Sequence, residues 1–334
     1  MGWRGTLRSM QAAARAAERN SRRRQHELAR RSQAIAKATA VERATYEVEV
    51  FRNRLERLVS IHKEGSAPIE WNHISQKAAP NVPQKLASNE ESAHERLASY
   101  RPGIIVRLLK RADQARLKLE KEIEEGRSRD EVIFKEECAR YEQEHKEWVE
   151  QREFADRVTR GDLSAYIEVI EELNPFGEIS DIGSGVRFAI SNPQTVEADI
   201  SVRGESAVPR ESMTLLKSGK LSVKQMPKGE FYRLYQDYIC SCVLRVAREL
   251  FAILPIENVI VSALEILVDS STGHLQEQPI ISVLVPRKTL MQINLDLVDP
   301  SDSMKNFVHR MNFKPTSGFK PVERVSVEEF TRAS

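Results

Sequence analysis

The feature that most constrains this chain is a change of period at Asn174–Pro175. Before it, apolar residues recur at three and four, the spacing of one face of a helix; after it they alternate, the spacing of one face of a strand. Val186, Phe188 and Ile190 alternate with polar residues, as do Val196, Ala198, Ile200 and Val202, with Ser191–Asn192–Pro193 between the two runs. This predicts a β-hairpin. A second hairpin is predicted from the β-branched runs Val259–Val268 and Pro279–Val285, which flank the turn-forming Asp269–His274. The stretch 204–229 is rich in Ser, Gly and Lys and is assigned no regular element. After it, Phe231, Tyr235, Tyr238, Ile239, Cys242, Val243, Val246, Leu250 and Leu254 give a helix over 230–254 the widest apolar face in the sequence, so it belongs at the centre of its domain. Asp299 before Pro300 predicts an N-capped helix over 300–311, and the tail from Lys314 is left with one short strand. The fold class is α+β: long charged, coiled-coil-like N-terminal helices, then two β-hairpins around a central apolar helix.

Upstream of Pro175 the elements are long. Leu7, Met10, Ala14, Ala17, Ser21, Leu28, Ile35 and Ala38 follow a weak heptad seam, and Val48, Phe51, Leu55 and Leu58 a stronger one, which predicts one helix over about 6–62. Gly65 and Pro68 end it, and Pro80 and Pro83 mark a connector for which Trp71 is the expected anchor. Helical pattern resumes over Asn89–Ser99 and again from Ile104 until Gly126. Ser128 with Glu131 has the spacing of a capping box, which predicts a new helix running to Arg160. Gly161–Asp162 then caps a short helix, Leu163–Leu173. The domain reading is residues 1–64 a basic helix, 65–90 a connector, 91–174 a helical segment that is acidic over 120–153, and 175–334 an α+β domain.

Charge is the second constraint. Residues 1–40 carry ten Arg and Lys against two acids, a net of +8, while the whole chain is +2, so the remainder sums to −6. Over 120–153 there are thirteen acids against seven bases. The basic arm, with Arg15, Arg19, Arg22, Arg23, Arg24, Arg30 and Arg31 as its binding candidates, admits four readings. It is a solvated face; it pairs with an acidic helix, of which 120–153 is the internal candidate; it contacts the phosphates of nucleic acid; or it lies on a membrane surface. The arm lacks the interleaved aromatics of a nucleic-acid reader and the Trp, Phe and Leu of an inserting helix. Its Arg- and Ala-rich composition is also that of a mitochondrial transit peptide, but the pattern runs on without a break to about His62. Three cysteines fit a reducing, cytoplasmic compartment, and no apolar run approaches the roughly 20 residues of a transmembrane helix.

Chemistry is sparse. The seven histidines show no metal-ligand spacing, and Cys240–Ser241–Cys242 on a helix points its thiols apart, which favours core packing. Asp296, Asp299 and Asp302 are explained by a cap and a first-turn acid, and Lys217–Ser218–Gly219–Lys220 lacks the rest of a phosphate loop. A nuclease centre needs two acids on neighbouring strands with a Lys to orient water. Glu197 and Asp199 on the first hairpin and Asp269 and Glu277 near the second are the catalytic candidates, without that Lys. No cofactor or metal is expected, and the small-molecule ligand is left open.

The segments Met1–Ser9, Tyr46–Val50, Leu216–Val223 and Arg245–Phe251 resemble a group of bacterial proteins with an Arg-rich N-terminal helix and an α+β C-terminal domain. The likeness spans most of the chain, implies a bacterial cytoplasmic setting and supplies no functional residues. The C-terminal helix and hairpin also resemble a region of proteins associated with restriction and phage defence. The expectation is a non-enzymatic interaction or assembly protein that self-associates or docks a protein partner. The alternative is a nucleic-acid-associated phage-defence component, a degenerate or metal-dependent nuclease.

Overall fold

The computed structural model describes residues 40–101, 112–176 and 185–326, so the seven candidate arginines of the basic arm, Arg15 to Arg31, lie outside it. The architecture is α+β. In chain order it contains α1 (Ala40–Val59), α2 (Trp71–Ser75), α3 (Ser88–Ser99), α4 (Ala112–Thr159), α5 (Leu163–Leu173), β1 (Gly185–Asn192), β2 (Thr195–Ser201), β3 (Glu211–Leu215), β4 (Leu221–Gln225), α6 (Lys228–Ile253), β5 (Asn258–Val268), β6 (Leu275–Pro286), α7 (Arg287–Gln292), α8 (Pro300–Ser303), β7 (Val308–Lys314) and β8 (Gly318–Lys320). These residues fall into two compact units, 73–154, and 40–72 with 155–326.

The helical unit corrects one expectation. Gly126 does not end a helix, and Ser128 does not open one: α4 runs through both. The glycine is there for proximity, because a Cβ at 126 would lie 2.8 Å from the Asn89 carbonyl oxygen at the start of α3. One turn on, Asp130 is 5% exposed and accepts from the Asn89 amide, from the Glu90 amide at 2.9 Å and from Asn89 Nδ2 at 2.7 Å. A carboxylate of one helix thus caps the N-terminus of another, where Ala87 at the cap position offers no side-chain acceptor. Those bonds hold the Asp130 carboxyl below the usual range against the opposing effect of desolvation.

The second unit is a six-stranded mixed sheet in the order β1-β2-β5-β6-β7-β8. Both expected hairpins form and join one sheet, because β2 pairs with β5 in parallel while the other neighbours are antiparallel. Parallel neighbours need a long crossover; here it holds α6 and a small hairpin, β3–β4, inside the stretch assigned no regular element. Lys217–Ser218–Gly219 is the turn of that hairpin, with Gly219 at φ +77°. The helix expected over 300–311 is also corrected. Asp299 caps it as expected, accepting from the Asp302 amide at 3.0 Å, but the helical turns stop by Asn306 and 308–314 becomes β7.

Helix α6 is the centre of this unit. Tyr238 to Leu244 are buried without a gap, and at 3.6 residues per turn seven such positions cover the whole circumference. It touches the sheet through β5 and β2, and α1, the turn at 61–63 and α8 elsewhere. Its sheet-side neighbours include the inward residues Val196, Ala198 and Ile200 of β2 and Val259, Val261 and Ala263 of β5, all at most 2% exposed. Each of the Val and Ile side chains among them contributes about 1.5–3 kcal/mol of burial. At the C-terminus of α6, Arg287 donates to the carbonyls of Phe251, Leu254 and Ile256 and stacks 4.7 Å over the Phe251 ring. Trp71 anchors the preceding segment to the same end, its Nε1 donating to the Ile253 carbonyl at 2.9 Å.

Candidate functional site

The outer face of the sheet gathers most of the acids singled out from sequence. With Val196, Ala198 and Ile200 turned towards α6, strand alternation turns Glu197, Asp199 and Ser201 to the other side. Register places Arg187 of β1 opposite Asp199, and Glu277 of β6 opposite Ile266 of β5. Glu277 accepts from Arg187 Nη2 at 2.6 Å and from the Ser201 hydroxyl. Asp199 is held bidentately by Arg324, with Nη2 to Oδ2 at 2.8 Å. The Ser201 hydroxyl and then Arg187 keep the Glu277 carboxyl below the usual carboxylate range, and Arg187 and Arg324 are raised by their acid partners.

Glu197, Asp199 and Glu277 therefore share a face, and Asp269 does not join them. Asp269 sits in the β5–β6 turn, where its Oδ1 accepts from the Ser271 amide at 2.8 Å and the Ser271 hydroxyl at 2.7 Å. Ordinary turn chemistry accounts for it. On the shared face the charges opposite the acids are guanidinium groups, which donate where a metal ion would have to bind. No group of three or more His, Cys, Asp or Glu among the described residues has metal-binding geometry.

Arg324 and Arg187 escaped sequence reasoning because their acids lie 125 and 90 residues away and no local spacing encodes the pairing. The Asp199–Arg324 pair also positions the segment 321–326. Val325, 4% exposed, enters a cluster with Ile260 and Leu284, against which Val308 packs. The Val325 amide donates to Ser282 Oγ at 3.0 Å, and Ser282 in turn pairs with Ser262 at 2.9 Å. The segment thus covers apolar surface that the six strands leave open on this face.

A second polar cluster lies inside the unit. His62 and Ser241 are both fully buried, and Ser241 Oγ lies 2.8 Å from His62 Nδ1 while accepting from the His62 amide at 3.0 Å. Next to it on α6, buried Glu249 accepts from the Ser66 amide at 3.0 Å and from Arg245 at 2.9 Å. Arg248 donates to the carbonyls of His62, Lys63 and Glu64. A serine next to a histidine has the composition of an activated nucleophile, but with no exposed surface on either residue no substrate reaches it. The cluster fastens residues 62–66 to α6. Cys240 and Cys242 are buried in the same helix, and burial pushes the Cys240 thiol well up, consistent with a core residue.

In comparisons with protein-family models, curated proteins and solved structures, nothing matches this chain.

Proposed function

We propose that this is a non-enzymatic interaction or assembly protein whose helical half mediates self-association or docks a protein partner. The observation that carries this is α4. It has 48 residues, about 72 Å of helix, and it leaves Leu117, Val132 and Ile133 exposed at 56%, 54% and 46%. At 100° per residue, Leu117 and Val132 lie within about 60° of each other around the axis, so a partner helix can meet both. The pairing of Asp199 and Glu277 with Arg324 and Arg187 supports the non-enzymatic reading, since it gives these carboxylates a structural use. A reducing, cytoplasmic setting accords with thiols buried in α6, and among the described residues no helix is long and apolar enough to cross a membrane.

Light scattering on the full chain at micromolar concentration is expected to return a multiple of 38.1 kDa, and Val132→Glu with Ile133→Glu to lower it. A monomer that also recovers no protein partner in a pull-down would overturn the proposal. The second reading, a nucleic-acid-associated phage-defence component, draws on the face shared by Glu197, Asp199 and Glu277, and the guanidinium partners favour its degenerate form over a metal-dependent nuclease. Salt-insensitive or absent DNA and RNA binding counts against it.

A further inference from the structure

Three arginines from two separate elements converge on one cavity of the sheet-containing unit. Arg54 and Arg57, one helical turn apart near the end of α1, line it together with Leu58, and the turn after β2 contributes Arg203, Ser206 and Ala207. The cavity measures about 270 Å³, and among the described residues no carboxylate lines it. A cation in the last turn of a helix complements the macrodipole, which accounts for Arg57. It does not account for Arg54, nor for Arg203 approaching from another part of the chain.

The turn that presents Arg203 is shaped by its own residues. The Ser206 hydroxyl donates to the Arg203 carbonyl at 2.6 Å, and Gly204 takes φ +61° where a Cβ would lie 2.2 Å from Glu265 Oε1. The acid of this turn, Glu205, is drawn into a 2.8 Å pair with Arg210 and does not line the cavity. Among the described residues the lining is therefore three guanidinium groups, a hydroxyl, and an apolar floor of Leu58 and Ala207.

Arg54 and Arg203 bring like charges to one cavity from two elements, and these repel unless an anion lies between them. Guanidinium forks match the oxygens of a phosphoryl group bidentately, and a cavity just below the roughly 300–1,000 Å³ of ordinary ligand sites suits a small molecule better than a polymer. We propose that this cavity binds the phosphoryl group of a small phosphorylated molecule, with Arg54, Arg57 and Arg203 as its ligands and Ser206 turning its hydroxyl to donate. The site is independent of the assembly role of α4.

Isothermal titration of the full chain tests this, using inorganic phosphate, pyrophosphate, adenosine monophosphate and a ten-nucleotide single strand as probes. Pyrophosphate is expected to bind saturably at one site per chain. The affinity should fall at least tenfold in Arg54→Gln/Arg203→Gln and by a smaller factor in Arg203→Lys, which keeps the charge and loses the fork, and stay unchanged in Arg233→Gln. The substituted side chains are solvent-exposed, and Arg203→Lys keeps the test readable if the double variant does not fold. No saturable binding of phosphate, pyrophosphate or the nucleotide overturns the proposal, as does equal affinity in the wild-type chain and both Arg203 variants. Binding of the single strand alone overturns it in favour of a nucleic-acid surface.

Discussion

At the scale of single residues, the arrangement around His62 has a consequence for stability against pH. The imidazole is fully buried, and its pKa is lowered from 6.5 by desolvation first and then by Lys63, with Arg248 acting the same way and Asp299 opposing. The folded state therefore keeps His62 neutral at pH values where the unfolded chain binds a proton. Stability is fully present above pH 6.5 and declines as pH falls below it, because the unfolded state takes up more protons. Urea denaturation between pH 7.5 and 5.5 should show the midpoint falling, and in His62→Gln the slope over that window should flatten; an unchanged slope would remove His62 as its origin. Glu277 of the outer sheet face is also shifted down, by the Ser201 hydroxyl and Arg187. The two clusters also differ in how much could be read in advance. Glu197 and Asp199 are recognisable by residue type and strand period and Glu277 by residue type alone, since the β-branched run begins only at Pro279, whereas the His62–Ser241 contact joins residues 179 apart, which no spacing rule reaches.

At the scale of elements, Gly126 shows how packing reverses a propensity. In an isolated helix, Gly→Ala stabilises by about 1 kcal/mol, and a glycine beside a capping-box pattern marks a sound boundary. In α4 the same glycine sits mid-helix because the start of α3 comes so close. Gly126→Ala is therefore expected to destabilise the helical unit, by about 1–3 kcal/mol, read as a lower denaturation midpoint; a stabilised variant would show that the contact with Asn89 is loose. Other element boundaries follow similar logic. The caps at Asp162 and Asp299 formed as their sequence implies, because a cap is satisfied within three residues. The helix after Asp299 ends earlier than its sequence pattern, since 308–314 is claimed by pairing with β6, a partner invisible to local periodicity. The β3–β4 hairpin leaves no clear signal in the sequence because its strands are partly exposed and mixed in character, with burial too weak to impose alternation.

At the scale of the whole molecule, the sheet-containing unit depends on a segment with no regular secondary structure. Residues 321–326 place Val325 against Ile260 and Leu284 and donate from Val322 to the Pro279 carbonyl at 2.9 Å, at the bulge between β5 and β6. Ending the chain after Lys320 is expected to uncover this face, with increased binding of a hydrophobic dye and aggregation on warming, and Val325→Asp to cost at least about 2 kcal/mol. Unchanged dye binding would show that the strands close the face unaided. The sequence by itself determined the α+β class, the two large hairpins with the Asp269 turn, the central helix α6 and the local caps, because periodicity, turn residues and capping act within a few residues of chain. Tertiary structure alone decided the parallel pairing of β2 with β5, the continuity of α4 through Gly126, the guanidinium partners of Asp199 and Glu277, and the convergence of Arg54, Arg57 and Arg203. Each of these depends on side chains or strands brought together from distant parts of the chain, and burial and hydrogen bonding between such parts leave no periodic trace in the sequence.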